Sequence, residues 1–138
     1  MIILDTNVVS EPLKPRPEPS VLAWLDAQSP ETLYVPTITL AELLAGMEAL
    51  PAGRKRTALL RAWQEQLLPL FAGRILSFDQ AACETFAKAH AGAQAAGNPI
   101  SFADCAIAAI ALAHGYAVAT RNVRDFKGTG TTLINPWD

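Results

Sequence analysis

The stretch from Phe102 to Ala113 is apolar at every position except Asp104. It reads as a helix, and a helix apolar on all sides is a buried one. The chain has 138 residues and at that size buries roughly two-thirds of its unfolded surface. That is enough for one core and too little for two domains, so residues 1–138 are expected to form a single domain. An acid placed inside the most apolar helix of so small a core needs a reason.

The rest of the chain alternates. Ile2-Ile3-Leu4 is a short apolar run ended by Asp5-Thr6-Asn7, the pattern of a buried strand emptying into a polar turn. Pro12, Pro15, Pro17 and Pro19 mark an extended connector, for which a PxxP ligand is the weaker reading. A helix is expected over about 20–28 from Val21, Leu22, Trp24 and Leu25. Leu33-Tyr34-Val35 is a second strand, and Ile38, Leu40, Ala41, Leu43 and Leu44 open the next helix. A longer helix follows Pro51 and Gly53. It opens on Arg54, Lys55 and Arg56, is lined by Leu59, Leu60, Trp63, Leu67 and Leu70, and is ended or kinked by Pro69. Ile75 to Phe78 is a possible strand. Asp79 caps a helix over about 80–96 that Gly97 stops. Gly115 ends the buried helix, and strands follow at 116–119 and 131–134. Strands alternating with helices predict an α/β sandwich with a mainly parallel sheet.

Composition narrows the function. Hydrophobic residues at 51% and charged residues at 17% exclude a disordered chain. No apolar run reaches the roughly 18 residues of a membrane span. The start, Met1-Ile2-Ile3-Leu4-Asp5, lacks the basic region and cleavage site of a secretory signal, so a cytoplasmic protein is expected. Cys83 and Cys105 lie in Ala-rich helical text and read as small core residues in a reducing compartment. A net charge of −2 disfavours a protein that coats nucleic acid, but not an enzyme that meets it at one small site.

Four acids stand out by topology. Asp5 follows the first strand, and Asp125 follows the 116–119 strand after a short turn. Glu42 and Asp104 are expected in the first turns of their helices. In a parallel sheet with crossover helices, all four positions fall at the carboxyl edge, where such sheets place ligands. Each acid has a plainer explanation. Thr39-x-x-Glu42 and Ser101-x-x-Asp104 fit capping boxes. Asp5 suits an Asx turn, and Asp125 suits a solvated loop. The conjunction is harder to explain plainly. Two carboxylates about 4 Å apart repel by about 4 kcal/mol at an effective dielectric near 20. A shared divalent cation removes that penalty, and hard oxygen ligands select Mg²⁺ or Mn²⁺.

Other chemistries lack their parts. A dehalogenase-type phosphatase needs a second Asp where this chain has Asn7, and a receiver domain needs an acidic pair after its first strand. GxSxG, GxGxxG and a Walker loop are absent. Cys83, Cys105, His90 and His114 match no zinc-site spacing.

The segments Ile3-Leu4-Asp5-Thr6-Asn7, Thr39-Leu40-Ala41-Glu42-Leu43, the Asp104 helix, Ala119-Thr120-Arg121-Asn122 with Asp125-Phe126, and Asn135-Pro136-Trp137 together resemble a PIN domain. The resemblance is to the VapC and FitB toxins of bacterial toxin–antitoxin pairs and runs nearly end to end. It implies a PIN-like three-layer α/β/α sandwich and a Mg²⁺- or Mn²⁺-dependent endoribonuclease. By position, Asp5 and Asp104 would ligate the metal, and Glu42 would bind it or orient a water on it. Asp125 or Asn122 would fill a fourth place. Thr6, Asn7 and Thr120 would support the ligands. Arg121, Arg124 and Lys127 flank the pocket, either as donors to neighbouring phosphates or as ordinary solvated loop charges. The resemblance also implies a homodimer and a small, DNA-binding antitoxin. A groove for its apolar helix is expected between helix 54–68 and the segment 40–50, unless those stripes are intramolecular core. The alternative function is a PIN-like scaffold that binds RNA or protein without cutting.

Overall fold

The computed structural model describes residues 1–138. Five strands form one all-parallel sheet: β1 (Ile2–Leu4), β2 (Leu33–Pro36), β3 (Ile75–Leu76), β4 (Ala117–Ala119) and β5 (Leu133–Ile134), in the order β3-β2-β1-β4-β5. Register follows burial. Ile3 aligns with Tyr34 and Val118, and these side chains face one layer of helices. Leu4 and Val35 face the other. This is the period of two that a strand imposes.

Six helices cover the two faces: α1 (Thr6–Ser10), α2 (Pro19–Asp26), α3 (Thr37–Glu48), α4 (Arg54–Ala62), α5 (Gln80–Ala95) and α6 (Phe102–His114). In α6, Cys105 to Ala111 are all buried, as its composition requires. Phe102 departs from that expectation and is 65% exposed. Ser101 caps α6 by accepting from Asp104 N–H at 3.2 Å, and Gly115 closes it at φ 71°, a conformation other residues rarely adopt. Asp79 caps α5 through a 3.0 Å bond from Ala82 N–H, and Gly97 ends it.

Four sequence expectations are corrected. Asp5-Thr6-Asn7 opens a helix, α1, with Asp5 as its cap and Val8 and Val9 buried beneath it. The proline connector begins with a 3₁₀ turn over Glu11–Leu13. The helix after Gly53 is regular only to Ala62, then widens to π geometry over Trp63–Leu67 and tightens to 3₁₀ over Leu68–Phe71. Pro69 has no N–H to continue the ladder, and Leu70 is left 55% exposed. Cys83 is exposed and only Cys105 is core, both as free thiols.

Candidate active site

The carboxyl ends of β1 and β4 carry the centre of the site. Asp5 N–H donates to Ala119 O at 3.0 Å, so the residue is still registered to the sheet as it caps α1. Its side chain is 4% exposed. Oδ1 accepts from Thr6 N–H at 2.7 Å, and Oδ2 accepts from the Thr120 hydroxyl at 2.7 Å and from Asn7 Nδ2 at 3.4 Å. Thr120 in turn accepts from Asn122 N–H at 3.1 Å. Burial raises the Asp5 pKa above its usual value, and the hydrogen bonds from Thr120 and Thr6 oppose the rise. The charge of Glu42 raises it further.

Glu42 lies in the second turn of α3, not the first. The helix starts at Thr37 after Pro36, with no side-chain cap. The capping box read from Thr39 therefore does not form. Thr39 is fully buried and its hydroxyl donates to Leu4 O at 3.0 Å, fastening α3 to the end of β1. Glu42 is exposed, and its Oε1 accepts from the Thr6 hydroxyl at 2.7 Å. Thr6 thus touches both acids, through its N–H to Asp5 and its hydroxyl to Glu42.

Asp104 sits in the first turn of α6, as expected. Its pKa is raised to about 6 by burial, then by the charges of Asp5 and Asp125, with Glu42 adding to the rise and a Ser101 hydrogen bond opposing it. Asp104 therefore feels three other carboxylates, carried by the ends of β1 and β4 and by α3. Asp125 is exposed in a 3₁₀ turn over Val123–Phe126, and Asn122 is exposed at its start. Both are held at the rim. Asn98 Nδ2 donates to Arg124 O at 3.0 Å and to Lys127 O at 3.1 Å, tying this turn to the end of α5.

The oxygen donors suit a hard divalent cation, and their shared electrostatics give a reason for one. Yet no three acidic, His or Cys side chains converge closely enough here to enclose an ion. The fit is one of donor chemistry and location. His114 ends α6, about 15 Å along the helix from Asp104 at 1.5 Å per residue. His90 stacks on Phe86, so neither histidine enters the site.

Among the cations, Arg124 and Lys127 are exposed, and no ion pair engages either. Arg121 N–H donates to Asn7 Oδ1 at 3.2 Å, while its guanidinium lies 5.3 Å from the Trp137 ring centroid. Sequence reasoning did not find Glu11, which is 4% exposed and paired with Lys14 at 2.9 Å. Nor did it find the partnership of Trp137 with Arg121. A lone acid before a proline and a tryptophan near the end of the chain carry no local signal of either role.

Beside the acids runs a groove of about 460 Å³, reached by Thr6 and Glu42, floored by Leu43, Met47 and Leu59, and flanked by Lys14 and Lys55. It lies where the sequence placed an apolar groove, between α3 and α4. The competing expectation also holds in part, since Leu43, Met47 and Trp63 belong to the core.

A parallel sheet of this order with carboxylates at its carboxyl edge defines a class, and the chain belongs to the PIN-domain family, which it matches over residues 2–130. It is 49% identical over 138 residues to the VapC ribonuclease Y4jK of Sinorhizobium fredii, covering 100% of this chain and 99% of that one. It is 44% identical over 137 residues to toxin FitB of Neisseria gonorrhoeae, covering 99% of each. The crystal structure of FitAcB from that organism superposes with a TM-score of 0.95 at 44% identity over 99% of each chain. The structure of FitAB bound to a DNA fragment gives 0.96 at 43% identity over 100% of this chain and 96% of that one.

Proposed function

We propose that this protein is a Mg²⁺- or Mn²⁺-dependent endoribonuclease, the toxin of a toxin–antitoxin pair. The observation that carries the reading is the gathering of four acids at one sheet edge, where the charges of Asp5, Asp125 and Glu42 act on Asp104 and that of Glu42 acts on Asp5. The similarity to a VapC ribonuclease and to toxin FitB supports it.

Asp5 and Asp104 would hold the cation, with Glu42 binding it or orienting the attacking water. The bound ion would supply a nucleophile at neutral pH and a Lewis acid for a phosphoryl oxygen. Asp5 is prepared for this by Thr120, Thr6 and Asn7, which fix its carboxylate before substrate arrives. Thr6 couples the position of Glu42 to that of Asp5. Asp125 or Asn122 would complete the ligand set from the rim. Arg121, Arg124 and Lys127 would hold backbone phosphates, which position RNA without reading its sequence.

The groove between α3 and α4 would take the apolar segment of an antitoxin. Its opening onto Thr6 and Glu42 would let such a segment reach the acids directly. A DNA-binding antitoxin partner is supported by the similarity to FitAB, whose structure was determined bound to DNA, and assembly as a homodimer is part of the proposal.

The lack of a closed three-carboxylate cluster favours a second reading, a scaffold that binds RNA or protein without cutting. Incubation with total RNA separates the two. Cleavage is expected in Mg²⁺ or Mn²⁺, none in EDTA, and a loss of at least about 100-fold in Asp5→Asn or Asp104→Asn. Cleavage that persists in EDTA, or variants as active as wild type, would refute the site. Mn²⁺ titration gives a check independent of turnover: binding that weakens in Asp5→Asn supports the enzyme, and no binding supports the scaffold.

A further inference from the structure

Arg121 follows Thr120, the residue that holds Asp5, and stands beside a strongly acidic site. A free arginine there would be expected to swing onto the carboxylates. The guanidinium is instead engaged elsewhere. It lies 5.3 Å from the centroid of Trp137, within the range of a cation–π contact. No ion pair joins it to any carboxylate.

Trp137 is itself fixed: it packs against the core, and its backbone N–H donates to Asn135 Oδ1 at 3.0 Å. The Arg121 backbone is anchored on Asn7, which also touches Asp5. Arg121 is nevertheless an exposed residue. A guanidinium held over an indole face by a cation–π contact keeps N–H groups free, and their fork matches the geometry of a phosphate.

We infer that Trp137 is a positioning residue for Arg121, keeping its guanidinium off the acids and presenting it to an RNA phosphate next to the one being cut. This rests on the ribonuclease reading above. A contact to a flanking phosphate is uniform binding, made in ground state and transition state alike, so its loss raises KM and spares kcat.

The test is steady-state cleavage of a single-stranded RNA carrying a fluorophore and a quencher, using the full chain. Trp137→Leu and Arg121→Ala are each expected to raise KM about tenfold with kcat within about twofold, and to lower the salt dependence of KM by about one phosphate contact. Arg121→Lys should not restore KM, because an ammonium lacks the planar fork. The double variant Arg121→Ala/Trp137→Leu should be no worse than Arg121→Ala alone, because Trp137 acts through Arg121. Trp137→Phe keeps a ring against the core with a weaker face, so its KM should lie between wild type and Trp137→Leu. That variant serves if the leucine variant does not fold.

A purely structural Trp137 would lower the melting temperature of these variants and leave KM alone. Wild-type KM in Trp137→Leu and Trp137→Phe, or a double variant whose effect is the product of the singles, would overturn the inference while leaving the nuclease intact. A wild type that cuts no RNA removes both.

Discussion

On the α5–α6 side of the sheet the core is Ile3, Ala82, Ile107 to Ala111, Val118 and Phe126, mostly small side chains. On the other side it is Leu4, Val8, Val9, Leu33, Val35, Leu43, Met47, Trp63, Phe71 and Ala119. Small residues let backbones approach. Thr85 Oγ1 reaches Ala109 O at 2.6 Å between α5 and α6. The face over the short α1 and the irregular end of α4 carries two grooves, of about 460 and 440 Å³, while the α5–α6 layer carries a hollow of about 520 Å³ lined by Phe86, His90, Ile100 and Phe102. The candidate site draws on both. Asp104 and Asp125 come from the close-packed side. Glu42 comes from the open side, where it is exposed, accepts one side-chain hydrogen bond, from Thr6, and lines a groove. On the proposed function, the close-packed layer would supply Asp104 as a held ligand and the open layer would receive a partner.

One substitution made on each side tests this contrast. A Cβ at Gly92 in α5 would lie 2.5 Å from Gly128 O, on the segment just past Asp125 and Lys127. Backbone cannot yield as a flexible side chain can. Gly92→Ala is therefore expected to lose about 1–3 kcal/mol of stability despite the better helix propensity of Ala. It should also impair activity by shifting the Asp125 turn. A Cβ at Gly46 in α3 meets nothing within 4 Å. Gly46→Ala should instead gain about 0.5–1 kcal/mol from propensity alone. Denaturant midpoints of the two variants decide the matter. If both shift in the same direction, the two faces are not packed differently in the way described.

Sequence alone carried most of the close-packed side. The all-apolar run of α6, the Asp79 cap and the stops at Gly97 and Gly115 are local signals, and each appears in the structure. The open side was less legible. Helix α1 has five residues, too few for a period to show, so it read as a turn. The start of α3 was misplaced because Pro36 offers no capping side chain, whereas Thr39 looked like a cap and is a buried tether between elements. The convergence of the acids could be read because topology alone sends them to one edge. Whether they come close enough to enclose an ion depends on side-chain angles that no spacing encodes. The role of Trp137 was missed for a related reason, since it exists only once Arg121 lies over its ring.

The smallest expected effect concerns the cost of keeping Asp104 charged on the close-packed side. Its pKa is about 6 in the folded protein against 3.8 for an ordinary aspartate. The unfolded chain therefore releases this proton at lower pH than the folded one. Below about pH 4 the group is protonated in both states and costs nothing; as pH rises through 6, folding pays for an ionised carboxylate among others. Without metal, Asp104→Asn should raise stability at pH 7–8, and the gain should vanish below about pH 4. Asp104 is only half-buried, so solvent screening reduces the gain, and its charge is favoured at the start of α6 by the helix dipole. A net gain of no more than about 1 kcal/mol remains. Melting curves in EDTA across pH 4–8 measure it. Added Mn²⁺ should reverse the order of the two proteins, because only the wild type has the carboxylate for an ion to bind. A loss of about 1 kcal/mol or more in EDTA at pH 7 would instead make Asp104 a capping residue, and its placement in the site incidental.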